Sequence, residues 1–226
     1  SSDSRKRRMP AWFNRLQIID STTISLFPNL IFKGVGRHPK TGKKKGGIKV
    51  HTNIHANEFV PSDIKFTSAA TNDSFMLKPA NYNDGDIIAM DRAYIDYARF
   101  EELTNRGVTY VTKMKKNLVY DTLSDTMYML PCGLMECRVQ VVEFRKHIKG
   151  GEDIKHKARI VTYVDPAKKK AKVISLLTND MTMEVEDIID IYRQRWEIEL
   201  LFKQLKQNFP LKYFYGESAN AIKIQI

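Results

Sequence analysis

Three acidic side chains of this chain of 226 residues lie in surroundings that suggest chemistry rather than solvation. Asp20 interrupts a β-branched, apolar segment, and Asp91 directly follows an apolar run, which is how an α/β sheet presents a catalytic carboxylate. Glu199 lies in a long helical segment. Buried carboxylates are seldom left unpaired, because their desolvation is costly. Carboxylates that converge from separate elements can hold divalent cations over a phosphate, so this set of acids suggests phosphodiester chemistry.

The segment that contains Glu199, residues 184–208, is predicted to form a helix of about six or seven turns, because neither Gly nor Pro interrupts it. Thr182 is its predicted N-cap, and acidic residues occupy its first turn, where the helix dipole favours negative charge. At 100° per residue, the apolar stripe of its first half continues into Arg195, Glu199 and Lys206. Since apolar residues flank the charged part, we expect Glu199 to face inward. The alternative is a solvated helix in which Arg195 and Glu199 form an i,i+4 ion pair.

The elements that must position the two aspartates are predicted from alternation and from short apolar runs. Three consecutive strands near the start imply an antiparallel meander, and a buried strand ends at Asp91. A helix and a further strand follow. The predicted strands cover residues 16–27, 48–60, 63–69, 86–90 and 108–113, and the predicted helix covers residues 95–105.

Polar residues on the first two predicted strands each have two interpretations. Asp20 is followed by Ser21 and Thr22, so it is either a metal ligand or a strand-end aspartate that caps its own backbone. Lys49 and His51 recur at even spacing, a pattern more typical of a half-buried strand than of a metal or phosphate site. The strand histidines do not form a zinc motif.

Four residues of the long helix have the spacing of a known signature. Their order and separation resemble the Tyr-Arg-Glu-Lys signature of bacterial insertion-sequence transposases of the DDE class, in which the Glu is the last metal-binding carboxylate. Four specified residues at fixed spacing should arise by chance in such a chain with a probability on the order of one in a thousand. The matching residues are Tyr192, Arg195, Glu199 and Lys206.

Two further segments resemble motifs of the same transposases, in the family's order. Asp91, Arg92 and Tyr94 match an Asp-Arg-Gly-Tyr box, in which Ala93 replaces the usual Gly. The segment that begins with Asp20 resembles the box of the first carboxylate. The similarity extends over nearly the whole chain.

The predicted order of elements and the resemblance both imply a ribonuclease-H-like α/β core, a mixed sheet flanked by helices, with a β-rich insertion before the last catalytic helix. Family members carry an N-terminal domain that recognises transposon ends and a C-terminal tail for dimerisation, so we expect this chain to be a catalytic-core fragment. The expected divisions are a basic lead over residues 1–15, the first part of the core over 16–116, the insertion over 117–182 and the helical part of the core over 183–226.

The resemblance implies metal-dependent DNA strand cleavage and strand transfer, which together give cut-and-paste transposition through a hairpin. Asp20, Asp91 and Glu199 are then the catalytic and metal-binding triad. Two Mg²⁺ ions are the expected cofactors, with Mn²⁺ as a substitute, because hard oxygen ligands dominate. The expected partners are transposon ends, target DNA and a second copy of the chain. The expected DNA-binding residues are Tyr192, Arg195, Lys206, Lys49 and Arg92.

The bulk properties agree with a nucleic-acid partner. The chain is 42% hydrophobic and 28% charged, and its formal net charge of +11 favours a polyanion. The Gly- and Lys-rich segment 34–47 is either a solvated hairpin tip or a phosphate-contacting loop. The sequence contains no signal peptide and no apolar run long enough to span a membrane. We therefore expect a soluble protein of the bacterial cytoplasm, associated with the nucleoid, whose Cys132 and Cys137 are free thiols.

Two rival functions share some of these features. A DNA-binding remnant would keep the basic surface without catalysis, but it would not need all three acids. A ribonuclease-H-like nuclease would need the acids, but it would not need the Tyr-Arg-Glu-Lys spacing. The sequence therefore favours a transposase.

Overall fold

A computed structural model describes residues 9–25, 47–58, 60–68, 70–130, 136–165 and 171–208. Within these residues the chain forms one mixed sheet of nine strands and two α-helices. The strands are β1 (Leu16–Ser25), β2 (Gly47–His55), β3 (Val60–Ser68), β4 (Ile87–Met90), β5 (Thr109–Lys113), β6 (Tyr120–Met129), β7 (Glu136–Lys146), β8 (Ile154–Asp165) and β9 (Lys172–Thr178). The helices are α1 (Tyr97–Asn105) and α2 (Val185–Asn208).

The first half of the sheet has the predicted topology. β1, β2 and β3 form an antiparallel meander, and β1, β4 and β5 lie side by side and run parallel. All four residues of β4 are buried, as expected for a parallel strand that is covered on both faces. The carboxyl ends of β1, β4 and β5 consequently meet at one edge of the sheet.

The second half of the sheet comes from the segment predicted as a β-rich insertion. β9 pairs antiparallel with β5, and β8, β7 and β6 follow outward in that order, so these strands continue the same sheet. Because each of these pairings is antiparallel, the last residues of β8 and the first residues of β9 lie at the edge where β5 ends.

The two helices cover opposite faces of the sheet. Side chains alternate across a strand, so Leu16 and Ile18 of β1 pack in the same cluster as Ile188 of α2. Ile19, the next residue after Ile18, belongs to the cluster on the other face, which contains Phe100 of α1. The same alternation directs Asp20 to the α2 face.

The start of α2 differs from the prediction. The helix begins at Val185, and Thr182, the predicted N-cap, lies three residues earlier. Asp180 is the stronger acceptor there: its Oδ1 accepts hydrogen bonds from the backbone N–H groups of Thr182 (2.9 Å) and Met183 (2.8 Å). The Thr182 hydroxyl also donates to Asp180 (3.3 Å), so Thr182 belongs to the turn before the helix and not to its cap position.

The first turn of α2 is acidic, as predicted, with Glu186 and Asp187. Asp187 also accepts a hydrogen bond from the Trp12 indole N–H (3.0 Å), which ties the short 3-10 helix Ala11–Arg15 to α2. None of the helices among the described residues is long and apolar enough to cross a membrane.

Candidate active site

The pairing of β1 with β4 places two of the predicted catalytic acids side by side. Ile19 and Met90 are partners across these parallel strands, and Asp20 and Asp91 are the next residues along each. The two aspartates therefore lie side by side on the α2 face of the sheet, Asp20 within β1 and Asp91 directly after the end of β4. Asp20 is buried, whereas the side chain of Asp91 is 44% exposed.

The third acid is joined to the aspartates through Arg195 of α2. Its Nη2 atom lies 3.5 Å from Asp20 Oδ1 and 3.8 Å from Asp91 Oδ2, and its Nη1 atom lies 3.0 Å from Glu199 Oε2. One guanidinium thus contacts all three carboxylates. The structure therefore brings together the three residues predicted as a triad, although no two of them are close in sequence.

Helical periodicity explains why this arginine is buried. Ile188, Ile191 and Ile198 are buried on the sheet, and Arg195 falls on the same stripe, where its residual exposure is only 3%. A guanidinium in that position needs negative partners, because a buried, unpaired charge is strongly disfavoured.

The prediction that Glu199 faces inward is wrong. Its side chain is 52% exposed, and Trp196 and Leu200, which should have walled it in, are 46% and 39% exposed. The physical reason is that Ile198 occupies the centre of the buried stripe, so Glu199 is rotated to its border. The i,i+4 ion pair of Arg195 with Glu199 is confirmed, but the solvated helix of that alternative interpretation is wrong, because Arg195 is only 3% exposed.

The carboxyl group of Asp20 has a raised pKa. Burial raises its pKa from 3.8 to about 6, against the lowering effects of Arg195 and of the Ser21 backbone N–H. That N–H donates to Asp20 Oδ1 at 2.9 Å, as the self-capping interpretation predicted. Asp20 is not at a strand end, however, because β1 continues to Ser25. Glu199 and Asp91 raise the pKa further, because like charges disfavour ionisation. A cation beside Asp20 would therefore stabilise its ionised form.

Two of the three acids, Asp91 and Glu199, border a cavity of about 310 Å³ between α2, the carboxyl ends of β4 and β5, and the β8–β9 pair. Asp91, Arg195 and Glu199 line it together with aromatic and basic side chains. Its aromatic lining residues are Tyr163, Tyr192 and Trp196, and its further basic ones are Arg92, Lys113, Lys172 and Arg193. A phosphodiester strand, which combines charged phosphates with flat bases, matches this lining.

The predicted DNA-binding residues are only partly brought together. Arg92 lines the cavity, as does Tyr192, whose ring centroid lies 5.7 Å from the Arg195 guanidinium carbon. Lys49 lies on the opposite face of the sheet from Asp20, and its Nζ atom contacts Asp73 Oδ1 at 2.8 Å. The side chain of Lys206 and most of segment 34–47 lie outside the described residues.

Sequence reasoning missed several cavity residues, most of them on the outer strands. Tyr163 and Lys172 reach the cavity only because β9 pairs with β5, a long-range pairing that no local pattern announces. The place of Lys113 in the cavity could have been predicted from the sequence, because Lys113 ends a strand that runs parallel to the strand before Asp91. A charged residue at that sheet edge belongs to the same site as the aspartates.

The donor chemistry of the three acids fits a hard divalent cation, since all the converging groups are carboxylates and one of them is desolvated. In the conformation described here, however, no group of three or more His, Cys, Asp or Glu residues among the described ranges is arranged to hold a metal ion. Arg195 supplies the positive charge at the point where the acids converge. The residues therefore fit the metal, while the guanidinium is their present partner.

The fold and the site together define a ribonuclease-H-like core with acids on adjacent parallel strands and on a late helix. The sequence matches the family described as "Transposase DDE domain" over residues 11–226, and the chain belongs to this family. The predicted membership of the DDE transposases is thereby confirmed. The mixed sheet flanked by helices confirms the predicted fold class.

Similar proteins that are named as transposases come from several bacteria. Transposase y4zB of Sinorhizobium fredii is 26% identical over 93% of this chain and 57% of its own length. The transposase for insertion sequence element IS5377 of Geobacillus stearothermophilus is 24% identical over 93% of this chain and 53% of its own length. The chain therefore spans little more than half the length of these curated relatives.

One solved structure supports the fold. The piggyBac transposase, determined by cryo-EM in a synaptic complex with hairpin DNA, aligns with a TM-score of 0.51 and 11% identity. The alignment covers 93% of this chain and 44% of that protein.

Proposed function

We propose that this chain is the catalytic core of a DNA transposase that cleaves and joins DNA strands by cut-and-paste transposition. The observation that carries the proposal is the contact of one guanidinium with Asp20, Asp91 and Glu199, because it brings acids from β1, the end of β4 and α2 to one point. Family membership and the relatives named as transposases support DNA strand cleavage and joining as the reaction of these acids.

Asp20, Asp91 and Glu199 would hold the divalent cations, for which two Mg²⁺ or Mn²⁺ ions are the best match to carboxylate ligands. Bound there, such ions supply charge neutralisation at the phosphate and activation of the attacking oxygen. The buried position of Asp20 fixes one ligand rigidly, whereas Asp91 and Glu199 are open to solvent and to substrate.

The basic residues around the acids hold the DNA. Arg195 and Arg92 can each donate two parallel hydrogen bonds to a phosphate, and Lys113 adds a point charge at the end of β5. The Tyr192 hydroxyl donates to the same backbone. In strand cleavage the attacking group is water, and in strand transfer it is the 3′-hydroxyl that cleavage has freed. Both attacks use the same three acids, so both steps take place in the same cavity.

The proposed partners are transposon ends, target DNA and a second copy of the protein in the synaptic complex, with the bacterial nucleoid as the place of action. The charge of +11 suits such a partner, because Lys and Arg residues release counterions when they neutralise DNA phosphates. Lys49, which does not line the cavity, remains a predicted DNA contact. So does Lys206, whose side chain lies outside the described residues.

The test is strand cleavage and transfer by the full-length protein in Mg²⁺. Asp20→Asn, Asp91→Asn and Glu199→Gln should each lower the rate about a thousandfold or more, since each removes a ligand of the charge-stabilising ions. Glu197→Gln, at an exposed position on the same helix, is the matched control and should change the rate less than about threefold. Near-wild-type activity in any triad variant would remove that residue from the site.

A further inference from the structure

Arg195 has a combination of properties that a phosphate-binding arginine does not require. Only 3% of this residue is exposed to solvent, and its guanidinium contacts all three acids at once. Substrate-binding arginines on a DNA surface are mostly exposed, because their guanidinium must meet the phosphate. Here the guanidinium faces the acids that the metal would need.

The contacts around Arg195 are electrostatic more than they are well-formed hydrogen bonds. Only the contact with Glu199, at 3.0 Å, has an ordinary hydrogen-bond length, while those with Asp20 and Asp91 are 3.5 Å and 3.8 Å. The Arg195 Nε atom is buried and has no hydrogen-bond partner within the described part of the chain. A cation held in this way is replaceable, because few directional bonds would be lost when it leaves.

We propose, on the basis of the proposed function, that Arg195 is the resident counter-ion of the triad in the metal-free protein and leaves the acids when divalent cations bind. A guanidinium and two divalent ions cannot share three carboxylates, since the like charges would repel one another at contact distance. In the DNA complex the displaced guanidinium binds a phosphate. Arg195 thus pairs with the three acids in the metal-free protein and with a DNA phosphate in the complex.

The exchange does not require α2 to move. Arg195 lines the same cavity as Arg92 and Tyr192, so its side chain can turn from the acids toward the cavity while the helix keeps its packing. The Tyr192 ring, 5.7 Å from the guanidinium carbon, offers a cation–π surface along that path. Ile191 and Ile198, which hold the helix on the sheet, are untouched by such a rotation.

The experiment is a Mn²⁺ titration of the DNA-free, full-length protein, followed by calorimetry and by electron paramagnetic resonance of the free ion. Arg195→Gln should bind Mn²⁺ on the order of tenfold or more tightly than the wild type, because the competing charge is gone. Arg193→Gln is the matched control, since Arg193 lines the same cavity but pairs with Asp190 at 3.2 Å. Its Mn²⁺ affinity should stay within about threefold of the wild type.

Arg195→Lys guards against a folding defect, which a thermal melt would reveal. Lysine keeps the charge but lacks the planar fork that reaches three acids, so its Mn²⁺ affinity should fall between those of the wild type and Arg195→Gln. Equal or weaker Mn²⁺ binding by both Arg195 variants would overturn the counter-ion role. If Asp20→Asn leaves Mn²⁺ binding unchanged, the proposed metal site itself is wrong. The same titration therefore distinguishes a failure of the metal site from a failure of the counter-ion role.

Discussion

The Arg195 guanidinium lies 3.5 Å from the carboxylate of Asp20, although 175 positions separate the two residues in the chain. Both are buried, so this contact adds a charged pair to the apolar packing that joins the last described helix to the first strand. It pairs an acid of raised pKa with an arginine that is only 3% exposed. The stability and the chemistry of the core are therefore coupled at Asp20.

Asp20→Asn should stabilise the protein at neutral pH while it abolishes activity. Folding raises the pKa of Asp20 from 3.8 to about 6, mainly by burial, so the folded state favours the protonated form. Stability is consequently lost as the pH rises from about 4 to about 6, and the neutral Asn avoids this loss. We expect a gain on the order of 2 kcal/mol at pH 7.5, measured by chemical denaturation.

The gain from Asp20→Asn should disappear near pH 4, where Asp20 itself is protonated. Asp121→Asn, whose side chain is 70% exposed in the wild type, provides the reference variant. A stability difference that stays constant between pH 4 and pH 8 would contradict this account of Asp20.

His156 should remain neutral well below the pH at which an ordinary imidazole becomes charged. It is fully buried on the α1 face, and burial lowers its pKa from 6.5 despite the opposing effect of Glu101. Its stabilising contribution is therefore present above pH 6.5 and is lost as the pH falls through its lowered pKa. Histidine NMR resonances followed from pH 8 to pH 5 would test this, with His147, 81% exposed, as the internal reference.

Tyr110→Phe tests the buried polar chain around His156. The Tyr110 hydroxyl is 2.5 Å from His156 Nε2, and Glu101 contacts the other ring nitrogen. Phenylalanine keeps the stacking on Phe100 but leaves a buried ring nitrogen unpaired, so we expect a loss of about 1–3 kcal/mol by urea denaturation. Tyr120→Phe, at a half-buried ring that also packs on Phe144, should cost clearly less.

Gly107→Ala should destabilise the connection between α1 and β5. Gly107 has a φ of +71°, and an added Cβ would lie 2.0 Å from Asp84 Oδ1. Because the backbone conformation disfavours an L side chain as well, we expect a loss of about 1–2 kcal/mol or more. Gly151→Ala, where the nearest atom is 3.5 Å away and φ is not positive, should be close to neutral in the same thermal melts.

Lys172→Gln should weaken DNA binding without affecting Mn²⁺ binding. Lys172 lies at the start of β9 and lines the cavity, where it can neutralise one phosphate. Loss of one such contact should reduce the slope of log affinity against log salt by about one. Lys149→Gln, in the turn after β7, removes an equal charge away from the cavity and should leave the slope unchanged in the same fluorescence titrations.

The sequence predicts those parts of the site that depend on local patterns. The apolar runs before Asp20 and Asp91 define two strands, and the uninterrupted segment before Glu199 defines the helix. Their convergence follows from the family motifs rather than from periodicity. Helical spacing places Arg195 on an apolar stripe and Glu199 within reach as an i,i+4 partner, but it does not predict the contacts of Arg195 with Asp20 and Asp91.

The parts that could not be predicted depend on competition between neighbours and on distant pairings. Thr182 loses its expected capping role because Asp180 is the better acceptor nearby. Glu199 is exposed because Ile198 occupies the buried position beside it. Tyr163 enters the cavity because β8 and β9 join the core sheet, and no local pattern specifies such a pairing.

β8 and β9 stay paired through Asp165 and Lys172, beyond the bond of the Met114 N–H to the Ser175 carbonyl (2.9 Å) on the β5 side. Tyr163 and Ile174 on this extension line the cavity, and both are buried in the apolar cluster that also contains Ile191 and Ile198 of α2. One wall of the cavity and the helix that carries Arg195 and Glu199 therefore share their packing. A substitution at Tyr163 or Ile174 consequently alters the seating of the helix as well as the shape of the cavity.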